Sequence, residues 1–277
     1  MTKKKFKIKW KNLLLLILIL ISFINLIISS FNFVIWLIDS NNTKEEVKEI
    51  EKIVKVEKVK DSNTVEIIEQ PTEPPKENPY WDYIKMNMIN VDFKNLKNKN
   101  SDTKGWIQVN GTNINYPFVQ TTNNEYYLNR SFNKNKNNAG WIFLDYRNSI
   151  NNLDKNTIIY GHSRQDSTMF GSLINILNYG WLDYSENHVI KLSTEIENSL
   201  WQVFSIYHIP TTSDYLEINF ETEQEFLNFT NKLINRSAYN FYTSINKDDK
   251  ILTLSTCYNN DNERVVLHAK LIKKETK

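Results

Sequence analysis

The spacing of apolar positions changes character along the chain. From Leu13 to Ile38 there are 26 residues without a charge, broken only by Ser22, Asn25, Ser29, Ser30 and Asn32. About 20 residues cross a bilayer, so this run is long enough to span one. Trp10 and Trp36 flank it, as interfacial aromatics do. Between 39 and 79 the pattern turns polar. Lys44–Lys60 interleaves charges with Val and Ile and suits a helix, whereas Glu69–Lys76 is proline-rich and reads as extended. The whole segment is expected to be a spacer.

Beyond Asn78 the pattern is that of a folded domain. Tyr80–Ile84 and Val91–Leu96 have the spacing of short amphipathic helices. Strand-like runs follow, rich in β-branched and aromatic residues: Gly105–Val109, Ile114–Gln120, Gly140–Leu144, Thr157–Tyr160, His188–Leu192, Trp201–His208, Ile251–Leu254 and Val265–Ile272. Asn110-Gly111, after the first of them, is a hairpin dipeptide. One longer helix is predicted over Thr222–Ile234. Its residues 226, 229, 230 and 233 recur at helical spacing, and Thr222 with Glu225 forms a capping box. About eight strands with few helices predict a mainly β protein, a closed or nearly closed barrel with helices packed outside.

Charge refines this division without changing it. Residues 1–12 hold six lysines and no acid, 39–79 hold seven lysines against eleven acids, and 80–277 hold twenty-one basic and twenty-one acidic groups. The net charge of +2 therefore belongs to the tail and gives no case for nucleic-acid binding. The order predicted is a basic tail (1–12), a membrane span (13–38), a charged and proline-rich stalk (39–79) and a folded domain (80–277). By the positive-inside rule the N-terminus is cytoplasmic and everything after Asp39 lies outside. A cleaved signal peptide is the rival reading; its apolar core would be roughly 7–15 residues with a small-residue cleavage site. This run is longer and lacks an Ala-x-Ala site.

The chemistry centres on Cys257, the sole cysteine, at the end of the run Thr253-Leu254-Ser255-Thr256-Cys257. One cysteine excludes an internal disulfide and cysteine-rich zinc sites, and the four histidines show no ligand spacing. A lone thiol is usually an inert buried group, but a strand-end thiol with an arginine nearby and a histidine elsewhere is a candidate nucleophile. Arg264 follows seven residues later, at the head of another apolar run. His162, in Tyr160-Gly161-His162, closes a third run 95 residues upstream. His268 sits four residues past Arg264, on the same face of a strand; it is read as structural, as are His188 and His208. Met169 and Phe170 are read as packing.

These strings resemble the catalytic motifs of sortases, the cysteine transpeptidases of Gram-positive surfaces. The stretch from Tyr160 to Leu173 resembles class B sortases in particular. So do Asn115–Gln120, Tyr126-Tyr127-Leu128 and Ile142–Arg147, and the helix at 222–234 matches an insertion of that class before the strand leading to the cysteine. The resemblance spans 80–277 and implies an eight-stranded sortase-like barrel, no cofactor and no metal. It makes Cys257 the nucleophile, His162 the general acid and base, and Arg264 the stabiliser of the oxyanion. Ser255, Thr256 and Tyr258, which border the thiol, are candidate substrate contacts. The implied substrate is a C-terminal sorting signal on a secreted protein, and the implied acceptor is an amine of a peptidoglycan precursor or a pilin lysine. The departure from the class pattern is the six-residue gap between Cys257 and Arg264. It is shorter than in several class B members and implies a shortened wall of the substrate groove.

Competing readings are weaker. Papain-like peptidases place the cysteine before the histidine and on a helix, the reverse of the order here. No G-x-S-x-G string supports a serine hydrolase. A non-catalytic binding module on a stalk would leave an unpaired extracellular thiol without a use.

Overall fold

The computed structural model describes residues 9–59, 65–68, 79–258 and 262–277, with Cys257 and Tyr258 described by their backbone alone. The basic tail before Lys9 and the proline-rich stretch 69–76 lie outside the described residues, as do 259–261 in the short gap before Arg264. The chain forms two units, Met1–Asn42 and Thr43–Lys277.

The first unit is the beginning of α1 (Trp10–Ile53). Leu14, Ile19, Leu26 and Phe31 are all exposed, so the helix is apolar on every side, as a segment surrounded by lipid would be. Among the described residues it is the one helix long and apolar enough to cross a membrane.

The second unit takes over the last turns of α1. Thr43, Glu46 and Ile50 are buried and Val47 is half-buried, an i, i+3, i+4, i+7 stripe facing the rest of the unit. Then come β1 (Val56–Lys58), β2 (Val65–Ile67), α2 (Tyr80–Tyr83), β3 (Ile89–Val91), α3 (Lys94–Lys99), β4 (Thr103–Val109), β5 (Asn115–Val119), β6 (Phe143–Leu144) and β7 (Asn156–Tyr160). α4 (Tyr179–Leu182), β8 (Val189–Thr194), β9 (Glu197–Pro210), α5 (Glu223–Arg236), β10 (Ile251–Tyr258) and β11 (Glu263–Thr276) complete it.

Eight strands close into a barrel in the order β10-β7-β6-β5-β4-β8-β9-β11, with β11 pairing back to β10 and β2 added outside β11. This is the mainly β barrel expected, and each of the eight predicted runs overlaps one of its strands, although of Gly140–Leu144 only Phe143–Leu144 is strand. Ile107, Phe118, Ile159, Leu192, Trp201, Leu254 and Leu267 fill it, each at most 1% exposed. The long predicted helix is α5, and its four predicted inward positions are the buried ones. Thr222 caps it, accepting from the Glu225 amide at 3.1 Å. The returning bond of the capping box goes one residue further out, from the Glu221 amide to Glu225 Oε2 at 2.8 Å. Asn110-Gly111 does turn β4 into β5, through a five-residue loop in which Gly111 takes φ +69°.

Two expectations change. The predicted helix at 91–96 begins three residues later, because Ile89–Val91 pairs with β1 as a strand. The spacer reading of 39–79 fails where the segment is described. Thr43–Ile53 packs into the folded unit, β1 pairs with β3, and β2 pairs with β11. The charges of this segment hid its role: they lie on the outer face of α1, and two of the four inward positions, Thr43 and Glu46, are themselves polar.

Candidate active site

Strand register gathers the three predicted residues at one end of the barrel. β7 and β10 are parallel neighbours with Tyr160 opposite Ser255, and the Gly161 amide donates to the Ser255 carbonyl at 3.3 Å. His162 lies two residues beyond Tyr160 and Cys257 two beyond Ser255, so parallel pairing brings both to the same rim. On the other side β11 runs antiparallel to β10, with Arg264 opposite Cys257 and Glu263 opposite Tyr258. Histidine, cysteine and arginine thus arrive on three adjacent strand ends.

Two neighbours fix one edge of His162. Its Nε2 lies 2.7 Å from the Leu128 carbonyl. A carbonyl only accepts, so Nε2 carries the proton in the neutral ring and Nδ1 is the basic nitrogen. Gly140 closes in beside that carbonyl: it takes φ +61°, and a Cβ there would stand 2.8 Å from both His162 Cδ2 and the Leu128 oxygen. The loop after His162 folds back, with the Phe170 amide donating to the His162 carbonyl at 3.0 Å. Met169 and Phe170 are fully buried, as expected of packing residues.

A cleft of about 440 Å³ opens over this rim. His162, Arg264, Ser255 and Thr256 line it, with Asn124, Leu128, Phe143 and Tyr160 on one wall and Thr211–Ser213, Tyr215 and Leu216 on the other. The Ser255 hydroxyl is engaged with Tyr215 OH at 2.9 Å, whereas the buried Thr256 hydroxyl has no partner among the described residues. Sequence reading did not select the second wall. It comes from the loop after β9, which has no periodicity and no motif, and only folding sets it against the histidine. Leu128 and Tyr160 stand inside recognisable strings, but nothing in those strings shows that one contributes a carbonyl and the other a hydroxyl.

A family model, the sortase domain, matches residues 107–272, the barrel from within β4 to within β11. The chain belongs to the sortase family. It is 36% identical over 188 residues to sortase B of Staphylococcus aureus (strain NCTC 8325 / PS 47), covering 67% of this chain and 76% of that protein. A Bacillus anthracis protein similar to sortase B superposes with TM-score 0.60 at 40% identity, over 65% of this chain and 82% of that one. A Staphylococcus aureus sortase B–substrate complex does so with TM-score 0.61 at 36% identity, over 65% and 84%. The similarity is thus to class B sortases, and the activity is that of a cysteine transpeptidase. The reading as a non-catalytic binding module is set aside.

Beneath the cleft of this sortase lies Asp145, fully buried just after β6. Its Oδ1 accepts from Arg147 Nε and from the Arg147 amide, both at 2.9 Å. Its Oδ2 accepts from Arg147 Nη2 at 3.0 Å, Tyr160 OH at 2.9 Å and Asn124 Nδ2 at 3.1 Å. Burial pushes the carboxyl up, but the hydrogen bonds from Arg147 and Tyr160 outweigh it and hold the group below its ordinary value. Burial and the Asp145 charge raise Tyr160, which stays a donor.

Two of the other histidines have structural settings, whereas His208 is exposed near the end of β9. Tyr207 OH lies 2.8 Å from His268 Nε2, and Thr253 Oγ1 lies 2.9 Å from Nδ1 while donating to Asn156 Oδ1 at 2.7 Å. Burial pushes His268 down to about 3. His188 is buried among Trp181, Tyr239 and Phe241 and is pushed down to about 4 by the same cause.

Proposed function

We propose that Cys257, His162 and Arg264 perform the acyl transfer. The Cys257 thiolate attacks a peptide carbonyl carbon of the sorting signal. Arg264 stabilises the oxyanion with its permanent charge and donor fork. As the tetrahedral intermediate collapses, the C–N bond breaks and His162 gives its Nδ1 proton to the leaving amine. A thioester remains on Cys257. An incoming amine attacks it, His162 takes back a proton through Nδ1, and the C–S bond breaks with Cys257 leaving as the thiolate, which restores the starting pair. The Leu128 carbonyl holds the Nε2 proton in place, so the same nitrogen serves both half-reactions.

The observation that supports this assignment is the register: Cys257 opposite Arg264 on β11, and His162 delivered by the parallel neighbour β7 to the mouth of one cleft. Ser255 and Thr256 border the bound peptide, Thr256 with a hydroxyl still to be satisfied, and Tyr258 flanks the thiol. The substrates in this reading are secreted proteins with a C-terminal sorting signal, and the acceptor is an amine of the cell-wall precursor. Leu13–Ile38 anchors the enzyme by a single span, with the lysine-rich tail in the cytoplasm and the barrel outside.

The test uses the full chain in detergent with a library of sorting peptides, with and without an amine, beside Cys257→Ala. Triglycine and a lysine side chain serve as separate acceptors. Cleavage that needs Cys257, with product diverted onto triglycine, is the expected result. Diversion onto the lysine alone indicates pilin polymerisation, and cleavage indifferent to either amine indicates a peptidase.

A further inference from the structure

The two walls of the cleft are joined underneath by one ion pair. On the histidine side, Asn124 and Tyr160 both donate to Asp145 Oδ2. The Asn124 amide is itself fixed, because its Oδ1 accepts from the Tyr146 amide at 2.9 Å. On the opposite side, Arg147 grips Asp145 with two guanidinium nitrogens and uses Nη2 again to donate to the Leu216 carbonyl at 3.0 Å. Leu216 ends the loop that forms the second wall. The outer side of that loop is tied to α5, through Arg236 Nη1 on Asp214 Oδ1 at 2.9 Å and Lys232 Nζ on the Asp214 carbonyl at 2.7 Å. On its inner side the links run from Tyr215 to Ser255, from Leu216 to Arg147, and from Asn156 Nδ2 of β7 to the Glu217 carbonyl at 2.8 Å.

We propose that Asp145 and Arg147 form a brace that fixes the span between the two walls, and so sets how tightly the peptide is held. Neither residue lines the cleft, so both are positioning residues. The geometry suits the task. A planar fork grips a carboxylate with two nitrogens and reaches a carbonyl from the same plane, a bidentate geometry that a lysine ammonium does not reproduce. The buried carboxylate has all its lone pairs engaged, so it has one arrangement rather than several. The wall it steadies is a loop without regular structure, the kind of segment that otherwise opens at low cost. The effect on substrate rests on the transpeptidase reading; the effect on the loop does not.

The experiment compares the full-length wild type with Arg147→Ala, Arg147→Lys and the pair Asp145→Asn/Arg147→Met. The pair removes both charges together, so no buried carboxylate is left unpaired if the single alanine variant fails to fold. Three quantities are read: KM and kcat for the cleaved peptide, the rate of Cys257 alkylation, and amide hydrogen exchange over 211–216. The expected result is a KM raised about tenfold or more with kcat within about twofold, the pattern of lost uniform binding. Alkylation stays unchanged, exchange over 211–216 speeds up while the barrel strands keep their protection, and Arg147→Lys recovers only part of the KM. Unchanged KM and unchanged exchange in a folded variant overturn the brace, and so does exchange that rises equally across the barrel. A wild type that cleaves no peptide defeats the transpeptidase reading instead and leaves the brace to be decided by exchange alone.

Discussion

At the scale of single residues, His162 depends on two neighbours that offer only backbone. Leu128 supplies a carbonyl and Gly140 supplies the absence of a side chain. Gly140→Ala asks for a Cβ 2.8 Å from the imidazole at a backbone angle that L-residues rarely adopt. The same Cβ would meet the Tyr127 carbonyl at 2.6 Å and the Leu128 carbonyl at 2.8 Å, so the ring or the backbone that holds it must shift, and kcat is expected to fall at least about tenfold. Single-turnover kinetics beside a thermal melt check this; a kcat within a factor of two of wild type would show that the contact does not position the ring. Much at this scale was legible beforehand. Cys257, His162 and Arg264 stand in local strings whose strand-end placement could be read directly. Asp145 and Arg147 stand in the Ile142–Arg147 string, but Asn124 and Leu216 stand in none: the bonds that meet at this pair link segments up to 92 positions apart in sequence, and no local pattern encodes such a meeting.

At the scale of elements, the end of α1 is a working part of the barrel unit. Ile50 is 1% exposed in the main core, and Glu46 accepts from the Asn133 amide while Asn137 Nδ2 donates to Thr43 Oγ1 at 3.0 Å. Burial raises the Glu46 carboxyl above its ordinary value despite these donors. The loop they grip, 129–140, runs between the two residues that hold His162. A fragment beginning at 80 leaves the Ile50 site empty and the Asn133 amide without its acceptor, whereas one beginning at 43 keeps both. The shorter fragment is expected to be less stable, and Ile50→Ala in the full chain to lose about 2–5 kcal/mol. Urea midpoints measure both, and equal midpoints for the two fragments would refute the prediction. The strands of the barrel were easier to foresee than this helix end, because β-branched alternation between turn residues is a strong local signal. The inward stripe of α1 contains only two apolar residues in four and sits among eleven acids and seven lysines.

At the scale of the whole molecule, the layer between the barrel wall and α5 encloses a neutral imidazole. In the unfolded chain His268 protonates near pH 6.5, and in the folded protein only near 3. The unfolded state therefore binds the extra proton between those values. The His268 contribution to stability is complete above about pH 6.5 and is lost as pH falls towards 3, at up to about 1.4 kcal/mol per pH unit. Urea midpoints at pH 7.5, 6.5 and 5.5 are expected to decline, and to decline less steeply in His268→Asn. Equal slopes in the two proteins would remove His268 as the cause.

The strand bearing the thiol is also the seam of the barrel, joined to β7 on one side and β11 on the other. Its partner histidine lies 95 positions earlier, so the encounter waits for a long stretch of chain to be made and folded. A chain made only as far as β9 carries the histidine without the cysteine. In the proposed mechanism, transfer therefore begins only after β7 and β10 have paired, so the seam that closes the wall also switches on the chemistry.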